Sequence, residues 1–542
     1  MTDDKTVPQL VDEFVAWHFD RVPARAAMLG SLDHDGTLGD FTEAGFLRYE
    51  REVDGWLARM TAVDPAGLSL DDSVDRDLVV AVLRGDQAMA AWPDWRRDPS
   101  VYTSAVLSNL FTSFLYRLRP EAELVATVEA RLREVPGVLA ACRRNLDPTL
   151  AAPKIVRRGL DQARTARAFL TVALPAEVSD QTLRARVAAA AEPAAAAFDE
   201  LVTFLDAFAD RATGDWRMGE RLYSTLLTDQ ELLGYGATEL HERGKVAYAE
   251  LDAEMRELAG RYSGGSDDWH AVMTRLQADF PPTEEDMRAE YEAETLRARD
   301  FLIEHELVTL AEGEECRVVP SPTFQRPVLS VASYMSPAPL GTGRVGHFFV
   351  PFTPDGFPQE QVRQRLRTNA RAQLATIAVH EAYPGHHWHL SWLAGSPRTV
   401  RKVFRTPYFS EGWALYAERL LREQGYFTDP AQELAHVEAR IFRAARIVVD
   451  TALHCGDMTV EQAEEFMSTK ASLTPGTAAG EVTRYCAWPT QAPSYLTGSL
   501  EIEQIRTDYL AEGRGDLRTF HDTLAGSGAL PLGLARRVAL GA

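Results

Sequence analysis

Cysteine is scarce in this chain. Four occur in 542 residues (Cys142, Cys316, Cys455 and Cys486), far apart and with no C-x-x-C pair. Neither a disulfide framework nor a thiolate zinc site is expected. No run of 18 apolar residues occurs, which argues against a membrane-spanning helix. The opening stretch "MTDDKTVPQLVDEF" starts acidic and lacks the apolar core of a secretory signal. Positive charge is in deficit as well. With 57 basic against 79 acidic residues, the net charge of −22 disfavours nucleic acid and anionic membrane as partners. A reduced, cytoplasmic protein is expected. Oligomeric state is not set by the sequence, and a homodimer stays open.

The 45% apolar content is ordinary for a globular protein with a large core. Helical periodicity dominates. In "VPQLVDEFVAWHFDRVP", Leu10, Val11, Phe14, Val15 and Phe19 share one side. "AELVATVEARLREVPGVLAACRRNL" and "PKIVRRGLDQARTARAFLTVAL" read the same way. "AAAAEPAAAAF" reads as a helix interrupted near Pro193. "TDQELLGYGATELHERGKVAYAELDAEMRELAGRY" reads as one or two helices opened by the cap signal Thr228-x-x-Glu231. "SLDHDGTLGDFT" falls short of a calcium loop and reads as a solvated, capped turn.

After residue 314 the texture changes. "CRVVPSPTF", "PVLSVASYM" and "GRVGHFFVPFTP" are short, β-branched or aromatic and bounded by Gly and Pro, which predicts a small sheet. "GRVGHFFVPF" reads equally as an edge strand able to pair with a peptide, with His347 on it a candidate substrate contact, or as a core strand. One helix is predicted over "PQEQVRQRLRTNARAQLATIAVHEAY". The fold class is mainly α, with a small β-sheet beside the histidine-bearing helix.

That helix ends in "AVHEAYPGHHWHL", residues 378–390. His-Glu opens a zinc-peptidase helix, but Pro384 stands where the second histidine of H-E-x-x-H belongs. On a regular helix His386 points roughly 120° away from His380, and His387 shares the face but lies roughly 10 Å along the axis. Pro384 cannot bond the residue-380 carbonyl, and Gly385 eases a bend. The helix must therefore bulge or break there, and a bulge absorbing two extra residues would return His386 to the side of His380, with Glu381 beside the metal. The third ligand is expected from "YFSEGWALYAERLLREQGYF". There Glu411 follows His386 by 25 residues, and Glu418 lies two turns on, placed to orient a histidine.

"HEAYPGHH" and "EGWALYAE" resemble the signature of the domain-of-unknown-function 885 family of bacterial proteins. "ARAAMLGSLDHDG", "GERLYSTLL", "RIVVDTALH", "QAPSYLTGSLEI" and "FHDTLAGSGALPLGL" extend the likeness over nearly the whole chain. The family in turn is similar to gluzincin-like helical zinc peptidases, such as thimet-type oligopeptidases and Taq-type carboxypeptidases. This resemblance implies a zincin-like fold with a deep cleft, walled by an N-terminal helical half (1–215) and joined to a catalytic half (216–542) in one continuous family domain. It aligns "GHHWH" with the Gly-His end of the peptidase core, favouring His386 over the alternative ligand His387.

The expected chemistry is a zinc-dependent hydrolase, a metallopeptidase acting on short peptides or small amides. His380, His386 and Glu411 are the metal ligands, and Glu381 is the general base. Tyr495, with Tyr485 second, is the candidate oxyanion donor, although either could be a core aromatic. Arg446, Asp450 and His454 recur every four residues. That face could orient a ligand or bind a substrate carboxylate, or form a structural helix pair. His387 and His389 are expected to support the site or pack locally. His and Glu ligands also suit Mn²⁺ or Co²⁺. The competing functions are a biosynthetic hydrolase of an amide or ester in a small metabolite, and a non-catalytic metal-containing binding protein.

Overall fold

The computed structural model describes residues 6–323, 325–326 and 331–541. The backbone packs as two compact units. The first is residues up to Met218 with Ala338–Thr342, and the second is Gly219–Pro337 with Gly343 onward. Both are helical, and the second also holds a small sheet. No helix of the described residues is long and apolar enough to cross a membrane.

In the first unit Val7–Arg21 buries Leu10, Val11, Phe14, Val15 and Phe19, the side its periodicity marks. The core centres on helices α1 (Glu121–Asn145), α2 (Pro153–Ala168) and α3 (Gln181–Ala209), with Leu132, Val135, Leu139, Phe198, Leu201 and Leu205 sealed between them. The helix is not interrupted at Pro193, contrary to the sequence reading: α3 runs through it. Pro193 and Ala189, four residues earlier, both face solvent, so water can satisfy the carbonyl that proline leaves unbonded. Ala191, Ala194, Ala195 and Phe198 anchor the opposite face. Alanine flanks of the highest helix propensity do the rest.

In the second unit the long helix α4 (Ala237–Ser263) begins only after Gly236. The Thr228 cap is therefore corrected. Thr228 Oγ1 donates back to the Ser224 carbonyl, and the Ser224 hydroxyl accepts the Ala237 N–H at the start of α4. Helix α5 (Glu284–Glu304) precedes the sheet. Strands β1 (Glu315–Pro320) and β2 (Ser333–Met335) flank β3 (Val345–Val350), β1 parallel and β2 antiparallel to it. The strand carrying His347 is thus central, not an edge, and its ladder is spent within the sheet. Phe348, Phe349 and Val350 are buried, as covering on both faces requires. Of the predicted strand "PVLSVASYM" only Ser333–Met335 is extended; residues 327–330, like Phe324, lie outside the described residues.

The single helix predicted over 358–383 is two, Gln359–Thr368 and α6 (Arg371–Glu381). They part at Asn369, a residue suited to a helix stop. Its side-chain amide donates to the Arg365 carbonyl and its oxygen accepts from Tyr291. Helices α7 (His386–Ala394), α8 (Pro407–Glu423), α9 (Pro430–Cys455), α10 (Pro475–Ala487), α11 (Ser494–Ala511) and α12 (Leu517–Gly526) follow. Helix α8 is apolar around most of its circumference, with Tyr408, Phe409, Trp413, Leu415, Tyr416, Leu420 and Leu421 all buried, as expected of a core helix. It crosses α11 with glycine against glycine. A methyl group on Gly412 would lie 2.5 Å from the Gly498 Cα.

Candidate metal centre

Of the two outcomes open at Pro384, the chain takes the break, between α6 and α7. Helix α6 ends at Glu381, Ala382 leaves helical geometry (φ −113°, ψ −86°), and α7 starts at His386. Two backbone bonds close the gap, Gly385 N–H to the Val379 carbonyl and Trp388 N–H to the Ala382 carbonyl, both 3.1 Å. The Trp413 indole of α8 donates to the Pro384 carbonyl at 2.8 Å, so the break leaves that group satisfied. Gly385 is required for space. A Cβ there would lie 2.5 Å from the His380 carbonyl carbon and closer still to the carbonyl oxygens of His380 and Val379. The result is a corner that sets two imidazoles side by side, with ring centroids 4.9 Å apart and planes at 90°.

Glu411 approaches that corner from the buried helix α8. Its Oε2 is 3.6 Å from His380 Nε2 and 3.4 Å from His386 Nε2. The three ligand atoms all lie within 4.8 Å of one another. Ligand atoms on one tetrahedral zinc, each roughly 2.0–2.1 Å out, lie about 3.3 Å apart, so the spacing fits a shared ion. It is too long for good direct hydrogen bonds. Glu418, two turns along α8 and 1% exposed, accepts from His380 Nδ1 at 2.7 Å, which turns Nε2 toward Glu411. The other Glu418 oxygen is 3.6 Å from His436 Nδ1 on α9.

Charge gives a second test of fit. Glu381, Glu411 and Glu418 surround two imidazoles in a mostly buried volume, an excess of negative charge that calls for a cation. Burial pulls the His380 imidazole down, but Glu411, Glu418 and Glu381 outweigh it and hold the ring up at about 10. Burial pushes Glu411 up, and His386 with His380 overcomes it to hold the carboxylate well below its usual range. With only protons available, the centre draws them in.

Glu381 ends α6 beside His380 and is half-buried. No hydrogen bond from a described residue holds its carboxylate. Burial raises its affinity for a proton, Glu411 and Glu418 add to this, and the two histidines oppose it.

His387 does not join the converging group. It is fully buried, its Nε2 2.6 Å from Glu314 and its Nδ1 2.9 Å from the Tyr334 hydroxyl on β2. The alternative ligand is thereby corrected, since its neighbours occupy both ring nitrogens. His389 packs locally at ring distances of 5.1 Å from Phe409 and 5.9 Å from Trp413; burial, with His386 and Arg405, pushes it down to about 3.

Tyr495 lies one turn before Gly498, and Glu411 is next to Gly412. The glycine crossing therefore brings the phenol toward the centre, and the Glu411 charge reaches it. The Arg446 guanidinium sits 4.8 Å from the Tyr495 ring. Tyr485 is less suited to an oxyanion, because it is fully buried and donates to Glu481 at 2.7 Å. On the Arg446–Asp450–His454 face, the lower two residues are engaged within the fold. Asp450 accepts from Tyr223 at 2.5 Å and from the Thr490 N–H, and His454 Nε2 meets the Tyr485 carbonyl at 3.0 Å.

Sequence reasoning missed the bracing of the corner. Glu314, just before β1, accepts from Tyr383 at 2.5 Å and from His387, and lies 3.4 Å from Arg299 on α5. Burial raises the Glu314 carboxyl, and His387 and Tyr383 bring it below its usual range. An isolated glutamate 73 residues from its partner histidine leaves no sequence signal. His436 and Arg443 on α9 were missed for the same reason.

The model of the family described as "Bacterial protein of unknown function (DUF885)" matches residues 23–538. No curated protein matches the chain. Among solved structures, one described as "a putative lipoprotein of unknown function" from Shewanella oneidensis is similar at a TM-score of 0.82 and 23% identity, covering 99% of this chain and 100% of its own. Another, described as "the putative lipoprotein from Colwellia psychrerythraea", is similar at 0.84 and 18%, covering 99% and 98%. At these identities the likeness extends to the fold alone, and neither match carries the gluzincin resemblance further. The family match spans nearly the whole chain, which therefore belongs to the bacterial DUF885 family.

Proposed function

We propose that the chain is a metal-dependent hydrolase of peptide or amide bonds, acting on short peptides or small amides, with zinc held by His380, His386 and Glu411. The observation that carries this reading is the convergence of those three ligand atoms next to an untethered, half-buried Glu381. A structural site needs no such base. Zinc in a three-ligand set supplies Lewis acidity toward a water and a scissile carbonyl.

The chain's residues do the rest. Glu381 takes the proton of the attacking water and passes it to the leaving amine. Its raised proton affinity suits both halves of that transfer. Tyr495 offers its O–H to the developing oxyanion. Glu418 keeps His380 in one tautomer and orientation. The likeness of the two motifs to those of thimet-type and Taq-type peptidases supports the same reaction class.

The test is elemental analysis of protein purified without a histidine tag, followed by assay on dipeptides and N-acyl amino acids. About one equivalent of a divalent metal is expected, and Glu381→Gln should keep the metal while losing hydrolysis by about a hundredfold or more. A metal-free protein, or a fully active Glu381→Gln variant, rejects the reading.

A further inference from the structure

Helix α9 carries three arginines on the stretch that passes the centre, and two are neutralised. Arg440 donates to Glu503 at 3.0 Å and Arg446 to Glu481 at 2.9 Å. Arg443 is different. It is only partly exposed, its Nη1 donates to the carbonyl of Ala439 in its own helix at 3.1 Å, and its Nε is buried with no acceptor. Among the described residues it forms no ion pair.

Its position is set by the helix. Arg443 lies two turns beyond His436, on the same face, and His436 touches the carboxylate that holds His380. One turn further on, Arg446 stacks over Tyr495. Arg443 is thus bracketed between the metal corner and the candidate oxyanion donor, and its charge is felt by Glu418, Tyr495 and Glu411. Glu438 feels it too, yet none of these carboxylates is in direct contact with the guanidinium, and a charge taken this far out of water without a contact partner is costly to the fold. Nε is sealed from solvent, but the Nη end, with Nη2 bonded to no described residue, can meet the oxygens of a carboxylate.

We propose that Arg443 receives the free terminal carboxylate of the substrate, so that the enzyme removes the C-terminal residue of short peptides and N-acyl peptides and spares internal bonds. This rests on the hydrolase reading above.

The probes are N-acetyl-dialanine and its C-terminal amide, tested for cleavage by the zinc-loaded wild type and for binding by calorimetry to zinc-loaded Glu381→Gln protein. The free acid should bind at least about tenfold more tightly than the amide, the loss expected when a charged partner is removed from a buried guanidinium. Arg443→Met in the same background should bind the two alike, and Arg443→Lys should recover part of the preference, which a purely structural role would not do. Melting curves confirm that both variants fold. Equal binding or cleavage of acid and amide by the unsubstituted site, or an undiminished preference in Arg443→Met, overturns this inference and leaves the hydrolase reading standing. If the zinc-loaded wild type binds and cuts neither probe nor any of the dipeptide panel, the hydrolase reading falls and this inference falls with it.

Discussion

Replacing Gly385 by alanine tests the geometry of the corner most directly. The added Cβ would sit 2.5 Å from the His380 carbonyl carbon, where ordinary contact begins at 3.4 Å. The obstacle is backbone, not the flexible end of a side chain, and two carbonyl oxygens lie closer still, so the last turn of α6 and the first of α7 must part by at least about 1 Å. The bond from Gly385 N–H to the Val379 carbonyl, 3.1 Å long, would be strained or lost. Overpacking of this kind costs about 1–3 kcal/mol and the bond about 1 kcal/mol more, giving roughly 2–4 kcal/mol in all. At about 2–4 °C per kcal/mol in a unit of this size, the melting temperature should fall by several degrees. A shift of roughly 1 Å between His380 and His386 is half a metal–nitrogen bond length, so metal affinity should fall more than tenfold. Scanning calorimetry and competition with a chelator measure the two effects. Gly395→Ala, at the other end of α7, is the control, because its Cβ would meet nothing closer than 3.4 Å. Wild-type melting and wild-type metal affinity in Gly385→Ala would refute the close packing of the corner.

Further predictions follow from the buried carboxylates. Glu418→Gln should weaken metal binding by about 10- to 100-fold while keeping the fold, because His380 loses its charged anchor; unchanged affinity in the chelator competition refutes this orienting role. Glu231 is buried, its carboxyl pushed up to about 7 by burial against the opposing hydrogen bond from Thr406. The folded chain therefore binds this proton more tightly than the unfolded chain. Stability from the group is fully present below the unfolded value, near 4.5, and is lost as pH rises through 7. Glu231→Gln should raise the urea midpoint at pH 8 by the equivalent of at most about 3 kcal/mol and leave it nearly unchanged at pH 5. An equal effect at both pH values contradicts the assignment.

The legible parts of the fold are those where local signals agree with burial. The stripe from Leu10 to Phe19 is a local pattern that the structure buries as read, and the His-Glu and Glu-Gly motifs are local patterns whose His380, His386 and Glu411 lie close together. Pro384 and Gly385 announced a disruption, although a bulge and a complete break share the same two letters. Pro193 read as a stop because sequence does not show that its freed carbonyl faces water. Thr228 matched a capping pattern, but the hydroxyl that caps α4 belongs to Ser224. The strand "GRVGHFFVPF" carried no mark of its place in the sheet, since that depends on partners about 14 and 30 residues away. Glu314 and Arg443 were invisible for the same reason: their roles come from what tertiary packing sets beside them.

The close passage of α8 over α11 bears on any attempt to move this centre into another scaffold. Glu411 reaches the imidazoles at the depth that two hydrogen-only side chains permit, and a single methyl at either position would act as a spacer wedge between the rods. A transplant that copied the histidines and glutamates faithfully but let Gly498 vary would hold its carboxylate out of reach. The minimal portable unit thus includes a residue with no side-chain atom to offer the cation, 87 positions from the nearest one it serves.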